Sequence, residues 1–296
     1  MIYTAFGLTV QCEFELRDVS RLYTSASDTP YDVTIKDGTV PDSLADATIF
    51  GEVFEKNAEH VLLRVKAVAD FLISNGKSIV ISRCSGCLPD TLETYLFGSV
   101  FGILLQQRGV FSLHVGAVET RQGLVAFCGP TGAGKSTIVS ELHQQTGCPI
   151  FCDDVAAVSM VDGVPHLEPG AARIKLCSDA LHRFGFSEEG LVKDHTGRDK
   201  YKLPLKVEES TGSRRLHALF GLSVSVDAAL VPLTGAIAFS LVHSAFYRPQ
   251  LFDLFGSRAE AASLAAVISR TIKVFRFERT WSSPSAVELV SNIIQK

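Results

Sequence analysis

The sequence predicts an α/β fold from one strand–loop–helix–strand run and from its composition. Residues 124–128 are apolar, a glycine-rich loop follows, residues 136–147 have helical character, and residues 148–161 are again mostly apolar, which is the order of a βαβ unit. The chain has 296 residues, of which 46 % are hydrophobic and 20 % charged. This composition supports a large buried core and excludes an intrinsically disordered protein.

Charge and cysteine content narrow the class of protein. The formal net charge of −4 argues against a general nucleic-acid-binding protein, so no nucleic-acid partner is expected. Seven cysteines, an odd number that falls partly within apolar runs, are typical of reduced thiols. Cys84 and Cys87 form a CxxC motif, but no second motif completes a zinc set, so a turn with two incidental cysteines is the simpler interpretation.

Targeting and membrane signals are weak. The first residues lack the basic start and long apolar stretch of a signal peptide, and the apolar runs are shorter than the roughly 20 residues of a membrane helix. We therefore expect a cytoplasmic protein with no membrane partner, and a homo-oligomer stays open.

We expect two domains. Residues 1–88 alternate short apolar stretches with polar breaks and predict a small, mostly β N-terminal domain, in which Asn75-Gly76 predicts a hairpin turn. Residues 89–296 form the second domain. It begins with a helix over 89–108, whose apolar residues recur on one face.

Further elements of the second domain follow from local composition. The stretch 186–202 is polar, charged and glycine-containing, which is typical of a lid loop. Residues 230–242 are expected to continue the sheet. Residues 258–296 predict two C-terminal helices around the short strand 273–279.

The loop after the first strand of the βαβ unit carries a complete GxxxxGK[ST] motif between a strand and a helix, the context that a phosphate-binding loop requires. Its backbone N–H groups and the helix N-terminus favour phosphate oxygens. Lys135 is expected to reach the β- and γ-phosphates, and Ser136 to ligate Mg²⁺. The predicted nucleotide-binding residues are Gly129, Pro130, Thr131, Gly132, Ala133, Gly134, Lys135, Ser136 and Thr137.

Asp153 and Asp154 follow the motif after one helix. If the strand that carries them runs parallel to 124–128, both carboxylates lie at its carboxyl end, beside the phosphate loop. One carboxylate can then bind Mg²⁺, for which we take Asp154, and Asp153 can accept a proton from an attacking hydroxyl. The plainer alternative is a helix cap or a solvated strand end. Neither the LSGGQ of a transporter ATPase nor the NKxD of a GTPase is present.

His114 precedes the phosphate loop on a predicted strand, and a lone histidine in an apolar stretch is most often a core residue. However, Arg108-Gly109, Leu113-His114, the run GLVAFCGPTGAGKST and the Asp-Asp pair together resemble HPr kinase/phosphorylase. That resemblance implies a P-loop kinase core similar to HPr kinase and to phosphoenolpyruvate carboxykinase. It also implies an active-site role for His114, Lys135 as the phosphate-loop lysine, Ser136 as the magnesium serine and Asp153 as the catalytic aspartate.

The layout of the whole chain is similar to one branch of this family. The segments YTAFGL, YLFGSVFGILLQQRGVFSLHVGAV and YRPQL resemble HPr-kinase-like proteins encoded beside lasso-peptide biosynthesis genes. The resemblance implies an ATP- and Mg²⁺-dependent kinase for the C-terminal serine of a precursor peptide. The alternatives are a carrier-protein serine kinase/phosphorylase and a nucleotide-gated binding module without transfer chemistry.

Basic residues after the core are candidates for contacts with phosphate or with a peptide carboxylate, because arginine and lysine pair readily with such anions. For each, a solvated surface charge is an equally good interpretation. The candidates are Arg173, Lys175, Arg198, Lys200 and Arg248.

Overall fold

The computed structural model describes residues 1–21, 30–194, 199–205 and 212–279, together with Glu288 and Val290. Within this part of the chain the fold is mixed α/β, with three sheets. In the same part of the chain, no helix is both long and apolar enough to cross a bilayer.

The first sheet has nine strands in the order β3-β1-β2-β4-β9-β8-β7-β6-β5. Neighbours are antiparallel except that β4 runs parallel to both β2 and β9. The strands are β1 (Ile2–Ala5), β2 (Leu8–Cys12), β3 (Ser20–Arg21), β4 (Val33–Asp37), β5 (Ile49–Phe50), β6 (Phe54–Lys56), β7 (His60–Val65), β8 (Ala69–Ser74) and β9 (Ser78–Arg83). Asn75 (φ 51°) and Gly76 (φ 64°) turn the chain between β8 and β9, which confirms the predicted hairpin.

The predicted helix over 89–108 is confirmed, with one irregularity. It consists of α1 (Pro89–Tyr95), a π-helical turn (Leu96–Val100) and α2 (Phe101–Gln107). Its apolar face packs in the same core as the nine-stranded sheet. The division of the chain into two domains at residue 88 stays a prediction. The helix that follows residue 88 shares a core with the strands that precede it.

The second sheet has seven strands in the order β11-β10-β12-β13-β17-β19-β18, and a third, small sheet has the order β14-β16-β15. The elements after α2 are, in chain order, β10 (Ser112–Thr120), β11 (Gly123–Cys128), α3 (Lys135–Thr146), β12 (Ile150–Val161), β13 (Val164–Pro169), β14 (Arg173–Cys177), α4 (Ser178–Arg183), β15 (Val192–Lys193), β16 (Lys200–Pro204), β17 (Arg214–Val224), β18 (Ala229–Leu233), α5 (Gly235–Ser244), α6 (Leu251–Phe255), α7 (Arg258–Thr271) and β19 (Lys273–Arg279).

Helices cover both faces of the seven-stranded sheet. The apolar side chains of α3 join one core, and those of α5 and α7 join another. A further parallel pairing of β11 with β17 closes β11, β10, β12, β13 and β17 into a ring. The strand–loop–helix–strand order that the sequence predicts around the phosphate loop is confirmed.

The predicted relation between the two strands of this unit is only half right. Both β11 and β12 run antiparallel to β10, so they share a direction, but β10 lies between them. Asp153 and Asp154 lie within β12 and not at its carboxyl end, because the apolar residues that follow continue to pair with β10. The prediction that the carboxylates end the strand is therefore wrong.

The expectation that residues 230–242 continue the sheet is also wrong in its second half. Only β18 is a strand, and α5 begins at Gly235. Ala238 and Val242 are four residues apart and fully buried, which is a helical period that an unbroken apolar run conceals. At the C-terminal side, α7 and β19 confirm the first predicted helix and the strand; of the second helix only Glu288 and Val290 are described, and both are helical.

Candidate phosphate-binding and catalytic site

The phosphate loop connects β11 to α3 through a tight glycine-rich curve. Gly132 (φ 86°) and Gly134 (φ 88°) have left-handed backbone conformations, which glycine adopts without the cost that a Cβ atom imposes. Gly134 is the N-cap residue of α3, so the loop ends where unpaired backbone N–H groups and the helix dipole favour an anion. The local structure has the form that the motif predicts.

Lys135 is the first residue of α3, and its side chain folds back over the loop. Its Nζ donates to the carbonyl oxygens of Gly129 (2.9 Å) and Pro130 (3.5 Å). Burial lowers the pKa of Lys135, although Asp153 and Asp154 act in the opposite direction. Neutral carbonyl partners are weaker than phosphate oxygens, so this ammonium group can exchange them for a nucleotide.

Ser136 joins the loop helix to the carboxylates. Its Oγ donates to Asp153 Oδ1 at 2.8 Å and Oδ2 at 3.1 Å, and the backbone N–H of Lys175 donates to Oδ2 at 2.9 Å. Asp153 is only 6 % exposed. Burial raises the pKa of Asp153, and the hydrogen bonds from Lys175 and Ser136 oppose that rise without cancelling it.

Asp154 faces the same cavity as Asp153, which a regular strand would not allow, because successive side chains point to opposite faces. Its φ of 117° departs from extended backbone and accounts for the change of direction. His114 Nε2 lies 3.3 Å from Asp154 Oδ1, and Lys175 Nζ lies 3.7 Å from Oδ2. Burial alone raises the pKa of Asp154, but the hydrogen bond with His114 and the charge of Lys175 outweigh it and lower the pKa to about 2.

These side chains surround a cavity of about 300 Å³. The phosphate loop, the start of α3, the strands β10 and β12 and the small sheet all contribute to its lining. The lining residues are His114, Thr131, Gly132, Gly134, Lys135, Ser136, Thr137, Asp153, Asp154, Lys175, Leu176, Cys177, Asp194 and Lys200.

The structure brings together most of the predicted site residues. Lys175 and Lys200, two of the five basic candidates, line the cavity, whereas Arg173 is buried against Asp18 outside it. Arg198 lies outside the described residues. Arg248 is exposed and donates from Nε to the Tyr247 hydroxyl (2.9 Å).

Arg248 therefore lies beside the site without lining the cavity. The Tyr247 ring stands edge-on to His114, with ring centres 6.0 Å apart. Of the predicted lid, residues 195–198 are outside the described part. The rest supplies β15 and the start of β16, and with them Asp194 and Lys200 in the cavity wall.

Two site features escaped the sequence analysis. Asp194 Oδ2 lies 3.4 Å from Lys175 Nζ, a contact that depends on the pairing of the small sheet. The Arg279 guanidinium packs against Gly134, where an added Cβ atom would overlap it. Arg279 ends β19, which is parallel to β17 and, through it, to β11. Since these strands end at one edge of the sheet, their direction could have placed Arg279 near the phosphate loop.

The residues present fit a magnesium site that is shared with phosphate. Among the described residues, no group of three or more His, Cys, Asp and Glu side chains is arranged to hold a metal ion. Ser136 and Asp153 nevertheless place hard oxygen atoms together at the start of α3. Magnesium commonly binds through one or two such protein oxygens, with phosphate and water as its other ligands.

Comparison with known proteins finds similarity among solved structures. No protein-family model and no curated protein matches the chain. Among solved structures, the chain is similar to the Hpr(Ser) kinase/phosphatase from Coxiella burnetii, with 11 % sequence identity over 62 % of this chain and 88 % of that chain, and a TM-score of 0.34. A likeness this weak supports no conclusion on activity. The resemblance to lasso-peptide kinases stays a prediction.

Proposed function

We propose that the protein is an ATP- and Mg²⁺-dependent kinase that transfers the γ-phosphoryl group to a serine hydroxyl of a peptide or protein. The observation that carries this proposal is the hydrogen bond from Ser136 to Asp153. It joins the first turn of the phosphate-loop helix to a pair of carboxylates in one cavity. Phosphoryl transfer needs this combination of anion binding, metal ligation and proton acceptance.

The contacts favour an exchange of the roles that the sequence suggests for the two carboxylates. Asp153 is hydrogen-bonded to Ser136, so these two residues would hold Mg²⁺, whereas the sequence analysis pairs Ser136 with Asp154. When bound, the ion supplies neutralisation of the phosphate charge. Both oxygen atoms of Asp153 already accept hydrogen bonds from Ser136 and Lys175, which leaves Asp153 less available than Asp154 to an acceptor hydroxyl.

Asp154 is better placed to accept the proton of the acceptor. Its side chain is 41 % exposed, and His114 orients one of its oxygen atoms. A pKa of about 2 keeps the carboxylate ionised at neutral pH but makes it a weak base. That is compatible with a loose transition state, in which orienting the hydroxyl matters more than base strength.

The lysines of the cavity would stabilise the charge that spreads over the transferred group. Lys135 is held at the loop by two carbonyl groups, and Lys175 and Lys200 approach from the small sheet. Fixed cations in a partly buried cavity act more strongly than in water. His114 holds Asp154 in place beside them, with Nε2 at 3.3 Å from Oδ1.

The proposed acceptor is a serine hydroxyl of a peptide or protein. The C-terminal serine of a lasso-peptide precursor follows only from the resemblance of the sequence. A carrier-protein substrate and a nucleotide-gated module without transfer are the alternatives to be separated by experiment.

The test combines acceptors with two carboxylate variants. Purified protein and Mg-ATP are offered a precursor peptide encoded by a neighbouring gene, the same peptide with its last serine changed to alanine, and an HPr-type carrier. We expect a mass gain of one phosphate on the first peptide alone. Labelling of the carrier alone would favour the carrier kinase, and Lys135-dependent ATP binding without any labelling would favour the binding module.

The two variants then assign the carboxylates. Asp154→Asn should retain nucleotide binding and lower single-turnover transfer by roughly 10²–10⁴-fold, the range of a general base. Asp153→Asn should instead raise the Mg²⁺ concentration needed for half-maximal transfer. If Asp154→Asn turns over at the wild-type rate while Asp153→Asn is inactive at saturating Mg²⁺, the base is Asp153, as the sequence analysis has it.

A further inference from the structure

The strand β14 carries a second charged residue beside the site lysine. Arg173 and Lys175 are two residues apart and therefore point to the same face of the small sheet. Lys175 contacts Asp154 and Asp194 in the cavity. Arg173 is 4 % exposed and forms an ion pair with Asp18, which lies in the segment between β2 and β3 of the nine-stranded sheet.

Asp18 contacts both long strands of the small sheet. Its carboxylate pairs with Arg173 on β14 and lies 3.9 Å from Lys202 Nζ on β16. Its backbone carbonyl oxygen accepts a hydrogen bond from the N–H of Ala172 at 2.6 Å. Arg173 is two residues from Lys175 on β14, and Lys202 is two residues from Lys200 on β16 and directly opposite Lys175. Asp18 therefore holds each strand two residues away from a cavity lysine.

The segment that carries Asp18 is itself fixed. The carboxylate of Glu93 on α1 accepts the backbone N–H groups of Arg17 (3.1 and 3.2 Å) and Asp18 (3.0 Å). The Tyr3 hydroxyl on β1 accepts the N–H of Leu16 at 3.0 Å. Asp18 is therefore a rigid bridge from the nine-stranded sheet and α1 to the wall of the cavity.

We propose that Asp18 is a positioning residue for the transfer reaction, because it fixes the small sheet so that Lys175 stays beside Asp154. Its effect on transfer rests on the proposed kinase function, whereas its effect on the small sheet does not. Buried ion pairs add little net stability compared with apolar contacts, but their geometry is specific. Arg173 and Lys175 are about 7 Å apart along the same strand, so a displacement of Arg173 would also move Lys175.

Hydrogen–deuterium exchange tests the positioning directly and needs no activity. In Asp18→Asn, we expect the backbone N–H groups of 173–177 and 200–204 to exchange on the order of 10-fold faster or more, since opening the small sheet no longer breaks the buried pair. Exchange in α3 and β11 should stay at the wild-type rate. Asp37→Asn is the matched control, because Asp37 pairs with Arg83 at the exposed surface of the same nine-stranded sheet. Wild-type exchange in the small sheet of Asp18→Asn would overturn the proposal.

A second variant covers the case in which Asp18→Asn unfolds the whole protein. Lys202→Gln leaves the pair between Asp18 and Arg173 intact and removes the contacts that hold β16, namely the one to Asp18 and the hydrogen bond from Lys202 Nζ to the Asp90 carbonyl oxygen. Faster exchange in 200–204 than in 173–177 supports the bridge, and unchanged exchange in both overturns it.

Kinetics separate positioning from a general structural role. We expect Asp18→Asn to lower kcat about tenfold with little change in the KM for ATP, because the phosphate loop is untouched. Asp18→Glu, which retains the charge, should recover part of kcat. A raised KM with unchanged kcat would contradict positioning of Lys175. If the wild-type protein transfers no phosphate at all, the kinase proposal fails, and the exchange data still decide whether Asp18 fixes the small sheet.

Discussion

Two clusters of charged residues meet on one face of the strand β14, and their environments differ. In the cavity, Lys175 faces Asp154, which is 41 % exposed and lies 3.7 Å away. One alternate position earlier, Arg173 is 4 % exposed and pairs closely with Asp18, which is 13 % exposed. The first cluster can change partners when a ligand arrives, and the second cannot without exposing buried charge. Access to solvent, more than the presence of opposite charges, separates the chemical cluster from the structural one.

The largest expected effect contrasts Arg173 with Lys200, a cavity lysine on the neighbouring strand β16. Arg173→Met leaves Asp18 buried with one distant cation, so the free energy of unfolding should fall by roughly 3–5 kcal/mol. Lys200→Met should change that free energy by less than about 1 kcal/mol and lower transfer by about tenfold or more. Urea unfolding and single-turnover transfer, measured on both variants, check this. If Lys200→Met loses the stability and Arg173→Met only the activity, the two clusters have the opposite roles.

A smaller effect concerns Arg279, a buried charged residue that packs against the phosphate loop. Gly134→Ala adds a Cβ atom that overlaps the Arg279 guanidinium at a residue with φ 88°. Gly132→Ala has nearly the same backbone strain, with φ 86°, but its Cβ atom meets no atom within 4 Å. We expect nucleotide affinity to fall about tenfold in Gly132→Ala from strain alone.

In Gly134→Ala the overlap adds to the strain, and we expect a loss of affinity of about 100-fold. Binding of Mg-ATP, measured by isothermal titration, gives both values. Equal losses in the two alanine variants would show that Arg279 moves aside freely and that its packing does not define the loop.

The smallest effect is a pH dependence within the structural cluster. Burial, together with the neighbouring Arg173, lowers the pKa of Lys202 to about 8. An unfolded lysine titrates near pH 10.5, so between pH 8 and 10.5 the unfolded chain binds more protons than the folded one. The contribution of Lys202 to the free energy of unfolding should therefore rise with pH across this window, by roughly 1–3 kcal/mol.

Lys202→Met isolates this term, because it removes one titrating group and leaves the others. The unfolding free energy of the wild type minus that of the variant should rise from pH 8 to pH 10 in urea titrations. A difference that is constant over this range would show that Lys202 keeps an ordinary pKa and is better solvated than its burial indicates.

Local signals predicted the phosphate loop, whereas the rest of the site depends on distant pairing. The motif around Lys135, the strand before it and the helix after it are contiguous in sequence, so backbone propensity and glycine placement are sufficient to predict them. Asp153 and Asp154 were predicted to be near the loop for a related reason. Their shared orientation depends on an irregular φ at Asp154, which no periodicity reveals.

The contrast between Arg173 and Lys175 could not be predicted from the sequence. Both are basic residues on one face of one strand, and only the contact with Asp18, far away in the chain, decides which of them is buried. The apolar residues of α5 are nearly continuous, so neither a period of two nor one of 3.6 stands out, and the sequence does not distinguish this helix from a strand.

The parallel pairing of β11 with β17 has a consequence for how the protein is made. The residue before the phosphate loop, Cys128, pairs with Gly221, and the loop's own neighbours include Leu222 and Arg279. Parallel pairings between distant segments form slowly, because a long loop must close before any contact stabilises it. During synthesis, the walls of the phosphate loop are incomplete until residue 279 has left the ribosome. The proposed nucleotide site is therefore completed late in the biogenesis of this chain.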